Sequence, residues 1–148
     1  MIYTIQIIMA FLGSLGFSML FNIRGRKLWY AAIGGMFSWI IYLLLIFWLK
    51  SEMSRYFISS MIVTIYSEVL ARIEKTPTTT FLTSSVIPLI PGRSLYYTMS
   101  YAVNGALDKF ASSGAQTVGL SASIAAGIMA GSSLFRVFMV IQQKLKKQ

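Results

Sequence analysis

The sequence predicts an all-α integral membrane protein with about five transmembrane helices, the fourth broken at residues 88–92, N-terminus out and C-terminus in. Three observations carry this. Hydrophobic residues make up 56% of the chain and charged residues only 11%, and the apolar runs are long enough to span hydrocarbon. One of those runs is interrupted by Pro88-Leu89-Ile90-Pro91-Gly92-Arg93. The basic residues cluster in alternate turns, as the positive-inside bias requires.

Residues 2–21 form the first span. They lack a basic leader, and the apolar run is too long for a signal-peptide core. Asn22-Ile23-Arg24-Gly25-Arg26-Lys27 is a short basic turn. Residues 28–49 form the second span, with Trp29, Tyr30 and Trp48 near the interfaces. A tight polar loop holds Lys50 to Arg55, with Glu52 solvated in it. Residues 56–73 form the third span, and Glu74-Lys75-Thr76-Pro77 closes it. The fourth is the broken segment 81–101. Residues 104–116 are small and polar and are expected to form a loop with at most a helical turn. Residues 117–141 form the fifth span, and 142–148 a basic tail. Residues 1–148 thus make one transmembrane domain.

The charge count sets the orientation. With the N-terminus outside, Arg24, Arg26, Lys27, Arg72, Lys75, Arg136, Lys144, Lys146 and Lys147 fall on the cytoplasmic side. Only Lys50, Arg55 and Lys109 fall outside. The scheme requires the broken segment to cross fully; a re-entrant segment leaves four spans and places the tail against the bias. The same count explains the excess of thirteen basic over four acidic residues as membrane flanks, without nucleic acid. The chain has no cysteine and no histidine, which removes disulfides, thiolate metal sites and the commonest general base. No catalytic constellation, metal site or cofactor motif is present, so an enzyme is not expected.

The break holds the chemistry. Proline removes a backbone donor and clashes with the preceding turn, and in hydrocarbon every backbone polar group needs a partner. Pro88 deprives the Ser84 carbonyl of its helical donor, and Pro91 deprives that of Ile87. Gly92 permits backbone angles closed to other residues. A half-helix starting near Ser94 points its free amides at the break, where Arg93 adds a full charge and a fork suited to a carboxylate. Discontinuous helices of this kind bind substrate in transporters. The plainer alternative is a structural kink with Arg93 reaching to an interface. Tyr97 and Tyr101 share a helix face and Tyr96 does not. Tyr101 fits an interfacial belt, while Tyr96 and Tyr97 remain open between belt and substrate contact.

Glu68 is the one carboxylate well inside a span. Intramembrane ionisable groups serve function by default, and proton coupling is one reading. Arg72, four residues on, offers the other: a structural ion pair. Gly119, Ser123, Gly127 and Gly131, with Ala115 upstream, form a small-residue ridge that admits a close backbone. Ala31 and Gly35 form a shorter ridge, and so do Ala10, Ser14 and Ser18. These ridges serve packing within the chain or, for some of them, a subunit interface.

Phe21-Asn22-Ile23-Arg24, Ser67-Glu68-Val69-Leu70-Ala71-Arg72 and Val86-Ile87-Pro88-Leu89-Ile90-Pro91-Gly92 together resemble the small subunit of the split threonine/serine exporter family. Ile90 stands where the family's Pro-Leu-Val-Pro-Gly signature has valine. The resemblance covers nearly the whole chain. It implies a multi-pass protein of the bacterial inner membrane that pairs with a larger multi-spanning subunit, or with copies of itself. It further implies proton-motive-force-driven export of threonine, serine or related carboxylates such as succinate. Pro88, Pro91 and Gly92 match the signature, and Glu68 and Arg72 match more loosely. Arg93 lies beyond the signature, so its role rests on its chemistry. Two rivals stand beside the exporter: a non-transporting scaffold subunit and a small oligomeric pore.

Overall fold

The computed structural model describes residues 2–145; Lys146 and Lys147 of the basic tail lie outside the described residues. The elements are α1 (Ile2–Leu20), α2 (Arg26–Ile46), α3 (Glu52–Ile73), α4 (Thr79–Val86), a 3-10 turn (Ile87–Leu89), α5 (Gly92–Val103) and α6 (Leu107–Leu145). No strand occurs among the described residues. Helices α1, α2, α3 and α6 are long and apolar enough to cross a membrane, and Thr79–Leu89 forms a shorter apolar helix.

The distribution of side chains is that of a protein dissolved in lipid. Large apolar groups such as Ile5, Leu12, Leu44, Met129 and Phe138 face outward. The interior is built from small hydroxylated residues, with Ser14, Ser18, Ser38, Ser60, Thr64 and Ser67 all fully buried. Without a hydrophobic drive between helices, close packing of small residues supplies the cohesion. Five of these six hydroxyls donate to a carbonyl three or four residues back, as Ser18 does to Ser14 at 2.7 Å and Thr64 to Ser60 at 2.7 Å, whereas the Ser14 hydroxyl has no partner among the described residues.

On α1 the buried set is Ala10, Ser14 and Ser18, the ridge expected from the sequence. It meets α2 so closely that a Cβ at Gly35 would overlap the Ser14 hydroxyl. Helix ends close with left-handed residues at Asn22, Lys75 and Gly105. Each is followed by an amide that reaches back five residues, such as Ile23 to Ser18 at 3.0 Å and Ala106 to Tyr101 at 3.0 Å. These bonds satisfy carbonyls that a helix end otherwise leaves free.

Helix α6 runs parallel to α3 and packs along it. Gly119 lies against Met53, Gly127 against Phe57 and Ser60, and Gly131 against Met61 and Thr64. Ser123 donates to the Gly119 carbonyl at 2.8 Å within α6. The ridge of Gly119, Ser123, Gly127 and Gly131, named above as a possible subunit contact, is therefore used inside the chain. A Cβ at Gly127 would overlap the Phe57 carbonyl, and only glycine admits that approach.

Residues 104–116 depart from expectation. The turn occupies only Asn104 to Ala106, and α6 begins at Leu107. Its 39 residues make it about 58 Å long, nearly twice the ~30 Å of hydrocarbon. Because Gly119 is already level with the first turn of α3, the preceding twelve residues run about 18 Å past it. Helix α5 lies antiparallel on this extension, with Ser94 at Thr117 and Thr98 at Ser113. Polar composition marked the stretch as a loop, but Ser113 bonds across to Thr98 of α5 and Ser112 donates to the Lys109 carbonyl within α6.

The broken segment passes from one end of the bundle to the other. Phe81 clusters with Ala31 and Ala71, near the α1–α2 turn, whereas Leu89 packs with Tyr42, Tyr56, Leu120 and Ile124 near the α2–α3 turn. A re-entrant hairpin does not describe it.

Candidate functional site

Pro88 sits 3.4 Å from the Cβ position of Gly35, close to the midpoint of α2. The chain then leaves helical geometry. The Ile90 amide donates to the Ile87 carbonyl at 3.1 Å, and the Gly92 amide to that of Ile90 at 2.7 Å. The Ile87 carbonyl, expected to lack a donor, is thus satisfied by the 3-10 turn. Pro91 caps α5 and its carbonyl accepts from Leu95 at 3.0 Å. The backbone amides of Arg93 and Ser94 have no acceptor among the described residues, as the first amides of a helix do not.

Gly92 adopts no left-handed angle, contrary to the conformational role expected of it. The space where its Cβ would project is open. That space belongs to a cavity of about 900 Å³. Pro88, Ile90, Pro91, Gly92, Arg93 and Tyr97 form one wall. Gln6, Trp39, Tyr42 and Tyr56 bring in α1, α2 and α3, while Lys109, Ser113 and Gln116 come from the α6 extension. The main chain leaves α-helical geometry at the prolines, and α5 with the start of α6 lines one side of the open cavity that follows.

Of the residues predicted for the site, the structure brings together Pro88, Pro91, Gly92, Arg93 and Tyr97. Tyr96 is 69% exposed and lies outside the cavity. Tyr101, assigned above to an interfacial belt, lines it instead and stacks on Tyr97 with centroids 6.3 Å apart. The Arg93 guanidinium lies 5.8 Å from the Tyr97 ring centroid, and the Lys109 ammonium 5.9 Å from that of Tyr101. Both distances fit cation–π contact.

Sequence reasoning passed over three contributors. Glu52 is the first residue of α3 rather than part of a loop; it lines the cavity, and its carboxylate accepts from the Gln116 amide at 3.2 Å. An acidic residue right after Ser51 is a helix-start signal that locates it. Lys109 and the hydroxyls of the α6 extension were hidden by the assignment of 104–116 to a loop. Those hydroxyls form a chain: Ser94 to Thr117 at 2.7 Å, Thr117 to Thr98 at 3.1 Å, and Thr98 to Ser113 at 2.8 Å. Ser94 and Ser113 are also in the cavity wall. The buried indole nitrogen of Trp39, another wall residue, has no acceptor among the described residues.

Glu68 and Arg72 are elsewhere. Their ion pair is formed at 2.6 Å, and the guanidinium lies 4.3 Å from the centroid of the Phe135 ring. Sixteen residues of helix separate Glu68 from Glu52, about 24 Å. Glu68 is 8% exposed and does not line the cavity. A second cavity of about 670 Å³ lies at that end, between the basic α1–α2 turn (Arg24, Lys27) and Thr76, Thr79, Thr80 and Thr83.

A lipid-facing bundle with a charged, hydroxyl-lined open cavity beside a broken helix has the architecture of a membrane transporter. The family described as Threonine/Serine exporter, ThrE, matches residues 6–134, from Gln6 in the cavity wall to beyond the glycine ridge of α6, and the chain belongs to it. It is a component of a threonine/serine exporter. No curated protein and no solved structure gives a match.

Proposed function

We propose that this chain is the small subunit of a two-component secondary exporter in a bacterial inner membrane, and that the cavity at the helix break is its substrate site. The observation that carries the reading is the cavity itself, the larger of the two described, which lies at the proline break in a chain of this family. A small amino acid such as threonine or serine places its carboxylate at Arg93 and the free amides opening α5. Tyr97 flanks that position. In the N-out, C-in orientation the cavity faces the outside and the Arg24–Lys27 end faces the cytoplasm.

The larger multi-spanning subunit, or a second copy, covers apolar faces that this chain leaves exposed. With the α6 ridge used internally, the outer face of α1 (Ile5, Ile8, Leu12) and the distal part of α6 (Leu134, Phe138, Ile141) are the surfaces available. The proton motive force drives export in this reading. Glu68 is the group to examine for coupling, acting from the opposite end of the bundle, with Arg72 as its partner.

The test is threonine efflux from proteoliposomes holding this chain with its larger partner. Pro88→Leu combined with Pro91→Leu restores helical donors at both positions and closes the break. Efflux is expected to fall at least tenfold at unchanged membrane insertion. Full efflux by the double variant removes the break from the mechanism. Equal efflux by vesicles without this chain assigns it to a scaffold, and ohmic conductance through this chain alone makes it a pore.

A further inference from the structure

The cavity wall carries charge of both signs. Arg93 and Lys109 are brought by the start of α5 and of α6, and Glu52 by the start of α3. Although all three line one cavity, Glu52 forms no ion pair with either cation; among the described residues the ion pair recorded is Glu68–Arg72. Each cavity cation rests instead on a tyrosine ring. Gln116 donates to Oε2 of Glu52 at 3.2 Å, an exposed bond between the start of α3 and the α6 extension. Arg55, three residues along α3 from Glu52, stacks likewise on the Tyr42 ring, and a cavity that holds charges of opposite sign without a direct ion pair complements a zwitterion. A carboxylate at the Arg93 side leaves an α-ammonium free to meet Glu52. A dicarboxylate of similar length instead brings a second negative charge to the same place, where like charges repel.

We infer that Glu52 is the specificity-determining residue of this site: it accepts the substrate's ammonium group and thereby selects amino acids over dicarboxylates and over hydroxy acids that lack the amine. Gln116 acts through Glu52 as a positioning residue. The inference rests on the cavity being the substrate site, as proposed above. It adds a residue and a discrimination that the helix break alone does not provide. The hydroxyls of Ser94 and Ser113, already exchanging bonds with Thr98 and Thr117, offer partners to a substrate side-chain hydroxyl in the same volume.

The experiment uses the full chain in lipid nanodiscs together with its larger partner. Threonine, 3-hydroxybutyrate and succinate are titrated, and binding is followed by the fluorescence of Trp39 in the cavity wall, with its Trp39→Phe variant as the blank. Wild type is expected to favour threonine over 3-hydroxybutyrate by at least tenfold. Glu52→Gln keeps the size of the side chain and its bond to Gln116 but removes the charge. It is expected to weaken threonine at least tenfold and to leave 3-hydroxybutyrate unchanged or tighter. Gln116→Leu should shift the same ratio in the same direction by a smaller factor. If Glu52→Gln changes all three ligands equally, Glu52 serves only the fold and the inference is overturned. An unchanged threonine-to-hydroxybutyrate ratio in both variants overturns it as well, while leaving the cavity as a binding site. Absence of saturable binding of any of the three to the wild-type complex overturns the site and this inference together.

Discussion

The two ends of the bundle treat their charges in opposite ways. Toward the Arg24–Lys27 end, the buried carboxylate of Glu68 is held by Arg72 at 2.6 Å, and that arginine is in turn stacked on Phe135. Toward the α2–α3 end, Arg93, Lys109 and Glu52 share a cavity without pairing, the Trp39 indole lacks an acceptor, and two amides open α5 without partners. At the first end the buried carboxylate is neutralised within the chain, although Arg24 and Lys27 line a smaller cavity there. At the other, charges of both signs line one cavity without a direct ion pair between them. Pro88 stands at the boundary, because close serine and glycine contacts pack the helices beside it and the larger cavity opens directly after it.

The sharpest way to break this comparison lies in the seam that holds the frame. Gly127→Leu places a side chain against the Phe57 carbonyl and Ser60 hydroxyl. The α3–α6 contact has no slack, so the variant is expected to lose about 3 kcal/mol or more and to fail in a detergent thermal-stability assay. Arg93→Ala should do the opposite, lowering threonine affinity by about 10- to 100-fold through loss of a charge-assisted contact while melting as wild type does. Arg72→Ala inverts that pattern: about 1 kcal/mol of stability lost, since Arg72 is partly exposed, and unaltered threonine binding in an equilibrium titration. The smallest effect is expected at the α5–α6 turn. Gly105 has φ of 68°, so Gly105→Ala should cost about 1 kcal/mol, seen as a modest drop in melting temperature with no change in binding. If Arg72→Ala weakens binding as much as Arg93→Ala does, the two ends are not independent and the contrast drawn here is wrong.

Much of this architecture was legible in the residues. Apolar run length located α1 to α3 to within a few residues, and the Ala10-Ser14-Ser18 spacing identified the buried face of α1. Prolines 88 and 91 marked the break because their consequence is local and stereochemical. What escaped depended on partners distant in sequence. Residues 107–116 carry few apolar side chains, and their helix is supported by hydroxyl bonds to α5, which no local pattern shows. Losing that helix hid Lys109, Ser113 and Gln116, and with Gln116 the setting of Glu52. The Gly119-to-Gly131 ridge announced a close helix contact, but spacing alone does not say which helix; the α3 backbone occupies it. Gly92 was singled out for conformational freedom it does not use; it opens α5 in ordinary geometry, and the space beside it is empty.

The central claim is that the prolyl break begins level with the midpoint of α2 and opens toward the α2–α3 end into a ligand cavity reached from that side. The chain has no cysteine, so Gly92→Cys introduces a single reactive group into open space within the cavity. Its rate of modification by a membrane-impermeant thiol reagent, measured in oriented vesicles with and without threonine, is the direct measurement. The account predicts labelling from the α2–α3 side alone, several-fold slower than at a Lys50→Cys control, and slowed further by threonine. Labelling as fast as the control and indifferent to threonine would contradict it.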